Sequence, residues 1–337
     1  MPALRTEITE IVTGLAMLGY SDLDHALSVR PHVVHNVTDD HFARLSAARR
    51  SGDFDDEFRL AWTNGFTFAA ADDGLRGRPP WRLEWKGPHR PPGYEQLPAD
   101  LRVDHVYLIS CKYGSNILHN TSPANLFDRR LAERGGSGAD WFAEVAPEAY
   151  QAFYDVCRTD LGGDLPGRVS DLDAGHRATL KAGLRSGLSE AASEAYRWLA
   201  ATVGTMSARR WLEGLDTPAR RREMLWRLLR LEAAPYFVLG AAADGTPLHY
   251  RLGTPWDFDE RFAVRSFDAW GDAVGQPLVR WRADITDKVR GSRRRVEGHV
   301  EVRWSHGRFA NVPEAKVYLD TAHHDVAGYF PLTGDQP

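Results

Sequence analysis

Cysteine is nearly missing from this chain: Cys111 and Cys157 are the only two in 337 residues. Their separation fits neither a disulfide framework nor a zinc cluster of paired cysteines, so a reducing, cytoplasmic setting is the expectation. Long apolar runs are lacking as well. The stretch from Ile11 to Leu18 is interrupted by Thr13 and Gly14, is preceded by acids and is followed by no small-residue cleavage site, so it reads as a buried helix face rather than a signal peptide. No run approaches the roughly 20 apolar residues of a membrane span, and no membrane partner is expected. Nor is there an excess of positive charge. With 46 acidic against 42 basic side chains the formal charge is −4, so any nucleic-acid contact must rest on local basic surfaces.

Several catalytic signatures are also absent. No G-x-S-x-G elbow is found, and Cys111 lies inside an apolar strand pattern where a thiol is a packing group. The Gly-rich stretches at 135–138 and 161–167 have neither the phosphate-loop nor the dinucleotide spacing, which argues against an ATPase or a Rossmann dehydrogenase. No internal repeat is evident.

What is present is enough apolar (43%) and aromatic (11%) content to build packed cores for one large domain or two ordinary ones. Residues 4–70 read as mostly helical, with Leu23, Ala26 and Leu27 on one spacing and Phe54, Phe58, Ala61 and Trp62 on another that carries Glu57 along. From residue 79 the texture changes. Trp81 to Lys86 and Val103 to Lys112 read as two strands, separated by a Pro/Gly-rich turn from Pro88 to Gly93. Residues 139–232 return to helical spacing and include a basic amphipathic segment from Ala219 to Arg230. From Tyr236 the chain turns β-rich, with Tyr236 to Leu239, Leu248 to Leu252 and later strands near 278–285, 295–304 and 314–320. The expected organisation is a core at 1–135, a helical segment at 136–232 and a β-rich part at 233–337, in a mixed α+β fold.

Chemistry concentrates between residues 57 and 120. Alternation places Glu84 and Lys86 on one face of the first strand, and Asp104, Val106, Leu108, Ser110 and Lys112 on one face of the second. Asp73 precedes them with the spacing Asp73-x10-Glu84-x-Lys86. Carboxylates hold Mg²⁺ through oxygen, the metal polarises a phosphoryl oxygen and acidifies bound water, and a nearby lysine orients that water or stabilises developing charge.

Asp73, Glu84, Lys86 and the helical Glu57 resemble the PD-(D/E)XK nuclease motif on a helix, strand, strand, strand layout, over about residues 45–130. The resemblance implies a restriction-endonuclease-like sheet flanked by helices, Mg²⁺ or Mn²⁺ as cofactor, and a nucleic-acid substrate to be cut, DNA or sometimes RNA. Asp72 stands where a proline often precedes the first acid, and Asp73-Gly74 has the composition of a turn. A second assignment takes Glu84 and Asp104 as the metal acids and Lys112 as the catalytic lysine, with Ser110 where the family would place a carboxylate. Lys112 to Asn116 and Leu118 to Pro123 offer small and amide side chains for phosphate or base contacts.

Arginine clusters at Arg209-Arg210, at Arg220, Arg221 and Arg222 with Arg227 and Arg230, and at Arg290 to Arg295 (including Arg293, Arg294 and Arg295) are candidate phosphate-binding surfaces. Two alternatives stay open: a non-catalytic nucleic-acid or protein-binding module on a degenerate nuclease-like sheet, and a metal enzyme acting on a small molecule. The latter would use His299, Glu301 and Arg303, which share a strand face, with His323 or His324. Oligomeric state is left open.

Overall fold

The computed structural model describes residues 2–87, 99–114, 117–131, 140–273 and 275–333. The fold is mixed α and β, with a seven-stranded and a five-stranded sheet. Among the described residues no helix is long and apolar enough to cross a membrane.

The chain divides into two units, one formed by Met1–Asn116, Leu231–Asp259 and Gly328–Pro337, the other by Ile117–Arg230 and Glu260–Ala327. This replaces the expected succession of segments at 1–135, 136–232 and 233–337. The cause is strand pairing at long range. The strand Tyr236–Ala241, buried at every position, pairs in parallel with a strand at Tyr107–Tyr113, and a parallel partner requires a crossover. The second unit takes Ile117–Arg230 from that crossover and Glu260–Ala327 from the chain between Pro247–Leu252 and Tyr329–Pro331.

In the first unit, helix α1 (Pro2–Ala16) buries Ile8, Ile11, Val12 and Leu15, a helical stripe. Helix α2 (Leu23–Val29) starts at Asp22, whose carboxylate accepts from the His25 amide. Strand β1 (Val34–His35) follows, then helix α3 (Asp39–Ser51), capped reciprocally by Thr38 and His41. Helix α4 (Asp55–Ala70) opens on Asp55, Asp56 and Glu57, acids that suit the positive end of the helix dipole. Strands β2 (Leu83–Trp85), β3 (Leu101–Val103) and β4 (Tyr107–Tyr113) form an antiparallel meander. The sheet runs β1-β2-β3-β4, then Tyr236–Ala241, Pro247–Leu252 and Tyr329–Pro331.

The single strand expected from Val103 to Lys112 is two strands joined by a tight turn. Asp104 and His105 have φ of 49° and 64°, in the left-handed region that Asp and His tolerate better than most residues. Val103 then pairs with Tyr107 and Leu101 with Ile109. Val106, which continued the apolar alternation, is at the turn and 70% exposed.

Two glycines set how closely α1 seats. A Cβ on Gly65 of α4 would lie 2.0 Å from the Thr13 carbonyl oxygen of α1, and one on Gly14 would lie 2.8 Å from the Leu83 side chain of β2. The first neighbour is backbone and cannot swing aside.

In the second unit an antiparallel sheet runs Ile117–Thr121, Glu314–Leu319, Arg293–Arg303, Pro277–Asp287 and Phe262–Ala273. The helix Glu190–Gly214 packs across the last two strands. Trp211 meets Phe267 edge-on at 5.4 Å, and Phe267 stacks on Trp281 at 6.2 Å. The helices expected within 139–232 and the late strands are found, and Phe262–Ala273 is an additional strand.

Gly65→Ala is expected to destabilise the protein by about 1–3 kcal/mol, the range for overpacking a tight contact. Urea unfolding measures it, and a change below about 0.5 kcal/mol, the size of a neutral surface substitution, would show that α1 and α4 do not meet this closely.

Candidate functional site

One end of the β3–β4 pair is closed by a side chain rather than by the ladder alone. Asp100 stands just before β3, its amide donates to the Ile109 carbonyl at 2.7 Å, and its own carbonyl accepts from the Lys86 amide at 2.8 Å. Its carboxylate accepts the Cys111 amide at 2.7 Å, with the Ser110 hydroxyl at 3.4 Å. The Asp100 carboxylate is thereby fixed between two residues of β4, and Lys112 is the next residue along.

Helix α1 brings a second carboxylate to the same region. The indole Nε1 of Trp85 donates to Glu10 Oε2 at 2.6 Å. Burial pushes Glu10 up to about 7, and the charge of Asp100 adds to the rise. The Trp85 hydrogen bond and the Lys112 ammonium act the other way without cancelling it. Glu10, Asp100 and Lys112 therefore form one electrostatic group, two acids to one base.

The surrounding shell is neutral and rigid. Burial, followed by the charges of Asp100 and Glu10, drives the Cys111 thiol well above its ordinary range, so it is a packing group and not a nucleophile. The Tyr113 hydroxyl lies 2.9 Å from Thr13 Oγ1 and accepts from Asn64 Nδ2 at 3.0 Å, and Asn64 Oδ1 is 2.8 Å from His249 Nε2. This chain ties α1, β4, α4 and the strand Pro247–Leu252 together beside the acids.

The acids singled out from sequence are placed differently. Glu84 is gripped by Arg102 and by Arg82 at 3.0 Å, and hydrogen bonds from Arg102 and then Arg82, against burial, hold its carboxyl below the usual range. Burial works against the ionisation of Asp104, yet the Arg78 guanidinium and the Arg82 and Trp81 amides prevail and lower it. Those contacts measure 2.6, 3.1 and 2.7 Å, and they make Asp104 the clamp of its turn. Asp73 is in the turn after α4 and accepts from the Thr333 amide at 3.3 Å. Glu57 pairs with Arg5 at 2.5 Å. The expected metal set of Glu84, Asp104 and Asp73 is corrected accordingly: guanidinium and amide groups already hold these acids. Among the described residues, no three His, Cys, Asp or Glu side chains are grouped to hold a metal ion.

Lys86, Asn36, Glu84 and Arg102 line a small cavity of about 80 Å³. Lys112 is the one expected residue that joins Glu10 and Asp100. Ser115, Asn116, the Pro88 to Gly93 turn and the stretch 135–138 lie outside the described residues. Leu118 to Pro123 is not a recognition loop: it is the strand Ile117–Thr121 followed by Ser122, which caps the helix Pro123–Phe127.

Most of the expected phosphate-binding arginines are engaged inside the protein. Arg220 pairs with Asp216 at 2.7 Å, Arg221 donates to the Leu215 carbonyl at 2.8 Å, and Arg222 lies over the Trp226 ring. Arg295 pairs with Asp284 at 3.0 Å and Arg294 lies over Phe262, while Arg293 is exposed. The C-terminal histidine site does not assemble either. His299 stands 2.7 Å from Asp320, Glu301 takes the Tyr318 hydroxyl and Arg303, and His324 faces Asp325.

Sequence reasoning missed Glu10 and Asp100. Asp100 had a signal, the spacing Asp100-x9-Ser110-x-Lys112, whereas Glu10 is an acid between the apolar residues Ile8 and Ile11 of a helix. No protein-family model matches the chain, and no curated protein or solved structure is significantly similar to it.

Between its ordinary 4.5 and about 7, folded Glu10 keeps a proton that the unfolded chain gives up. Its contribution to stability is therefore full below pH 4.5 and is lost as the pH rises to 7, by about 3 kcal/mol. Glu10→Gln removes this dependence. Urea titrations at about pH 5 and about pH 8 are expected to show the variant gaining on wild type only at the higher pH. Parallel curves would mean that Glu10 ionises normally.

Proposed function

We propose that the first unit is a metal-dependent nuclease that hydrolyses phosphodiester bonds, with Glu10 and Asp100 as the cation ligands and Lys112 beside the attacking water. The observation that carries this reading is the convergence of these three side chains at the end of β3 and β4. The helix, strand, strand, strand order around them agrees with the resemblance to PD-(D/E)XK nucleases, with the acids reassigned.

The donor set suits a hard divalent cation. Burial, with the charge of Asp100 adding to it, keeps Glu10 protonated toward neutral pH, and a bound cation would offset both. Mg²⁺ commonly takes one or two carboxylates and fills its remaining positions with water and phosphate oxygens, so a third protein acid is not required. When bound, the metal supplies Lewis-acid polarisation of the phosphoryl oxygen and an acidified water. Asp100, pinned by the Cys111 amide, presents a fixed oxygen. Glu10 would hold such a cation as its carboxylate, and Lys112 would orient the nucleophile or balance charge developing on the phosphoryl oxygens.

Ser110 favours a second reading. It stands where the family pattern has an acid, as expected of a sheet that binds nucleic acid without cutting it.

Incubating plasmid, single-stranded DNA and RNA with Mg²⁺ or Mn²⁺ separates the two. Glu10→Gln, Asp100→Asn and Lys112→Ala are each expected to lower cleavage on the order of 100-fold or more, while Glu84→Gln leaves it within a few-fold. Mn²⁺ should also raise the melting temperature of wild type but not of Glu10→Gln. No cutting of any substrate by wild type would favour the binding reading, and loss of cutting in Glu84→Gln alone would return the site to the Glu84 assignment.

A further inference from the structure

The second unit contains a groove that the nuclease reading does not use. It encloses about 690 Å³ between the helix Ala174–Gly183 and the turn at residues 306–308. Four basic residues, Lys181, Arg185, His306 and Arg308, line it, and no Asp or Glu does. Ala178 and Ala182 add small side chains to the lining.

Many of this chain's arginines, by contrast, are paired with carboxylates. Arg30, Arg44, Arg49, Arg210, Arg220 and Arg295 are examples, each within 3.0 Å of an acid. Lys181, Arg185 and His306 are exposed, and none of the four has a carboxylate bonded to it among the described residues. Asp160 acts with Arg308 on the Cys157 thiol but is bonded at 2.6 Å to the Ser189 hydroxyl. In a protein of net charge −4, a concave surface carrying several unneutralised cations is a feature that folding alone does not call for.

The walls are held in place before any ligand arrives. Phe309, next to Arg308, is fully buried and stacks on Tyr150 and Phe153. Arg177 donates to the Phe309 carbonyl at 3.0 Å, fastening the turn to the helix. The Arg308 guanidinium lies over the Tyr196 ring at 5.4 Å, and the Lys181 stem passes beside Gly307. The turn and the Arg308 guanidinium, held in this way, lose little entropy on binding.

We propose that this groove binds the phosphodiester backbone of a nucleic-acid strand. Its several cations suit more than one phosphate of a strand, and the small Ala178 and Ala182 beside them admit the sugars. A bilayer surface would not enter a groove of this shape. The inference does not rest on the catalytic reading, because the groove belongs to the second unit and its occupancy can be measured without cleavage.

The test is fluorescence anisotropy of labelled single-stranded and duplex oligonucleotides in EDTA, over a range of salt. Lys181→Glu/Arg185→Glu is expected to weaken binding about tenfold or more and to flatten the log affinity against log salt slope by about 2, and Arg185→Gln alone by about 1. These side chains are exposed, so unchanged melting temperatures confirm that folding is intact. The proposal is overturned if wild type does not bind, if the charge-reversed variant keeps the wild-type affinity and slope, if inorganic tripolyphosphate at matched phosphate concentration displaces the oligonucleotide, or if wild type binds phosphatidylserine vesicles in place of the oligonucleotide.

Discussion

The close seating of α1 against α4 and the sheet is the constraint on which the rest of the first unit depends. It is set by the absence of a side chain at Gly65, where the Thr13 carbonyl occupies the space a Cβ would need, and at Gly14, where Leu83 does. An α-helix turns through about 100° per residue, so a slip of one position would carry Glu10 away from Trp85 and leave the indole N–H without its acceptor. The Thr13–Tyr113 bond opposes such a slip, because it would take the buried Thr13 hydroxyl away from a Tyr113 that Asn64 also holds. Apolar packing brings the helix to the sheet, and this bond fixes its rotation.

Burial and charge balance together explain why two sets of acids have different characters. Glu84 and Asp104 each face guanidinium groups, and both are held ionised. Glu10 is driven toward its neutral form by burial first, with the charge of Asp100 adding to it and Lys112 opposing it. A saturated ion pair has little further affinity for a cation. A buried acid raised in this way can be relieved by a cation or a proton, and such groups gather at functional sites for that reason.

Much of the local structure was legible in the sequence. The helical stripe around Leu23, Ala26 and Leu27 and the strands at Tyr236, Leu248 and 314–320 follow from periodicity that the core enforces. The turn at Asp104-His105 was hidden because Val103 and Val106 bracket it with strand-like residues. Phe262–Ala273 was hidden because a register shift between Val264 and Ser266 breaks its alternation and Asp268, Gly271 and Asp272 look like a loop. The pairing of β4 with Tyr236–Ala241, across more than a hundred residues, leaves no local trace. At the candidate site Lys112 was legible and its partners were not: Glu10 belongs to a helix whose apolar neighbours mask it, and Asp100 acts through a backbone amide that only the fold brings to it.

The same distinction governs how basic residues should be read. Runs such as Arg220 to Arg222 attract attention in a sequence because they are contiguous, but contiguity does not measure available charge. Arg220 and Arg295 have their charge taken up by Asp216 and Asp284, and Arg221 is bound to a backbone carbonyl. Lys181, Arg185, His306 and Arg308 are scattered over more than a hundred residues and form no motif, yet they line one groove without an acid. Attraction for an anion depends on the field that remains after internal pairing, and that field is set by three-dimensional placement. In a chain with more acids than bases, a small set of unpaired cations carries more weight than a longer run that the protein has already neutralised.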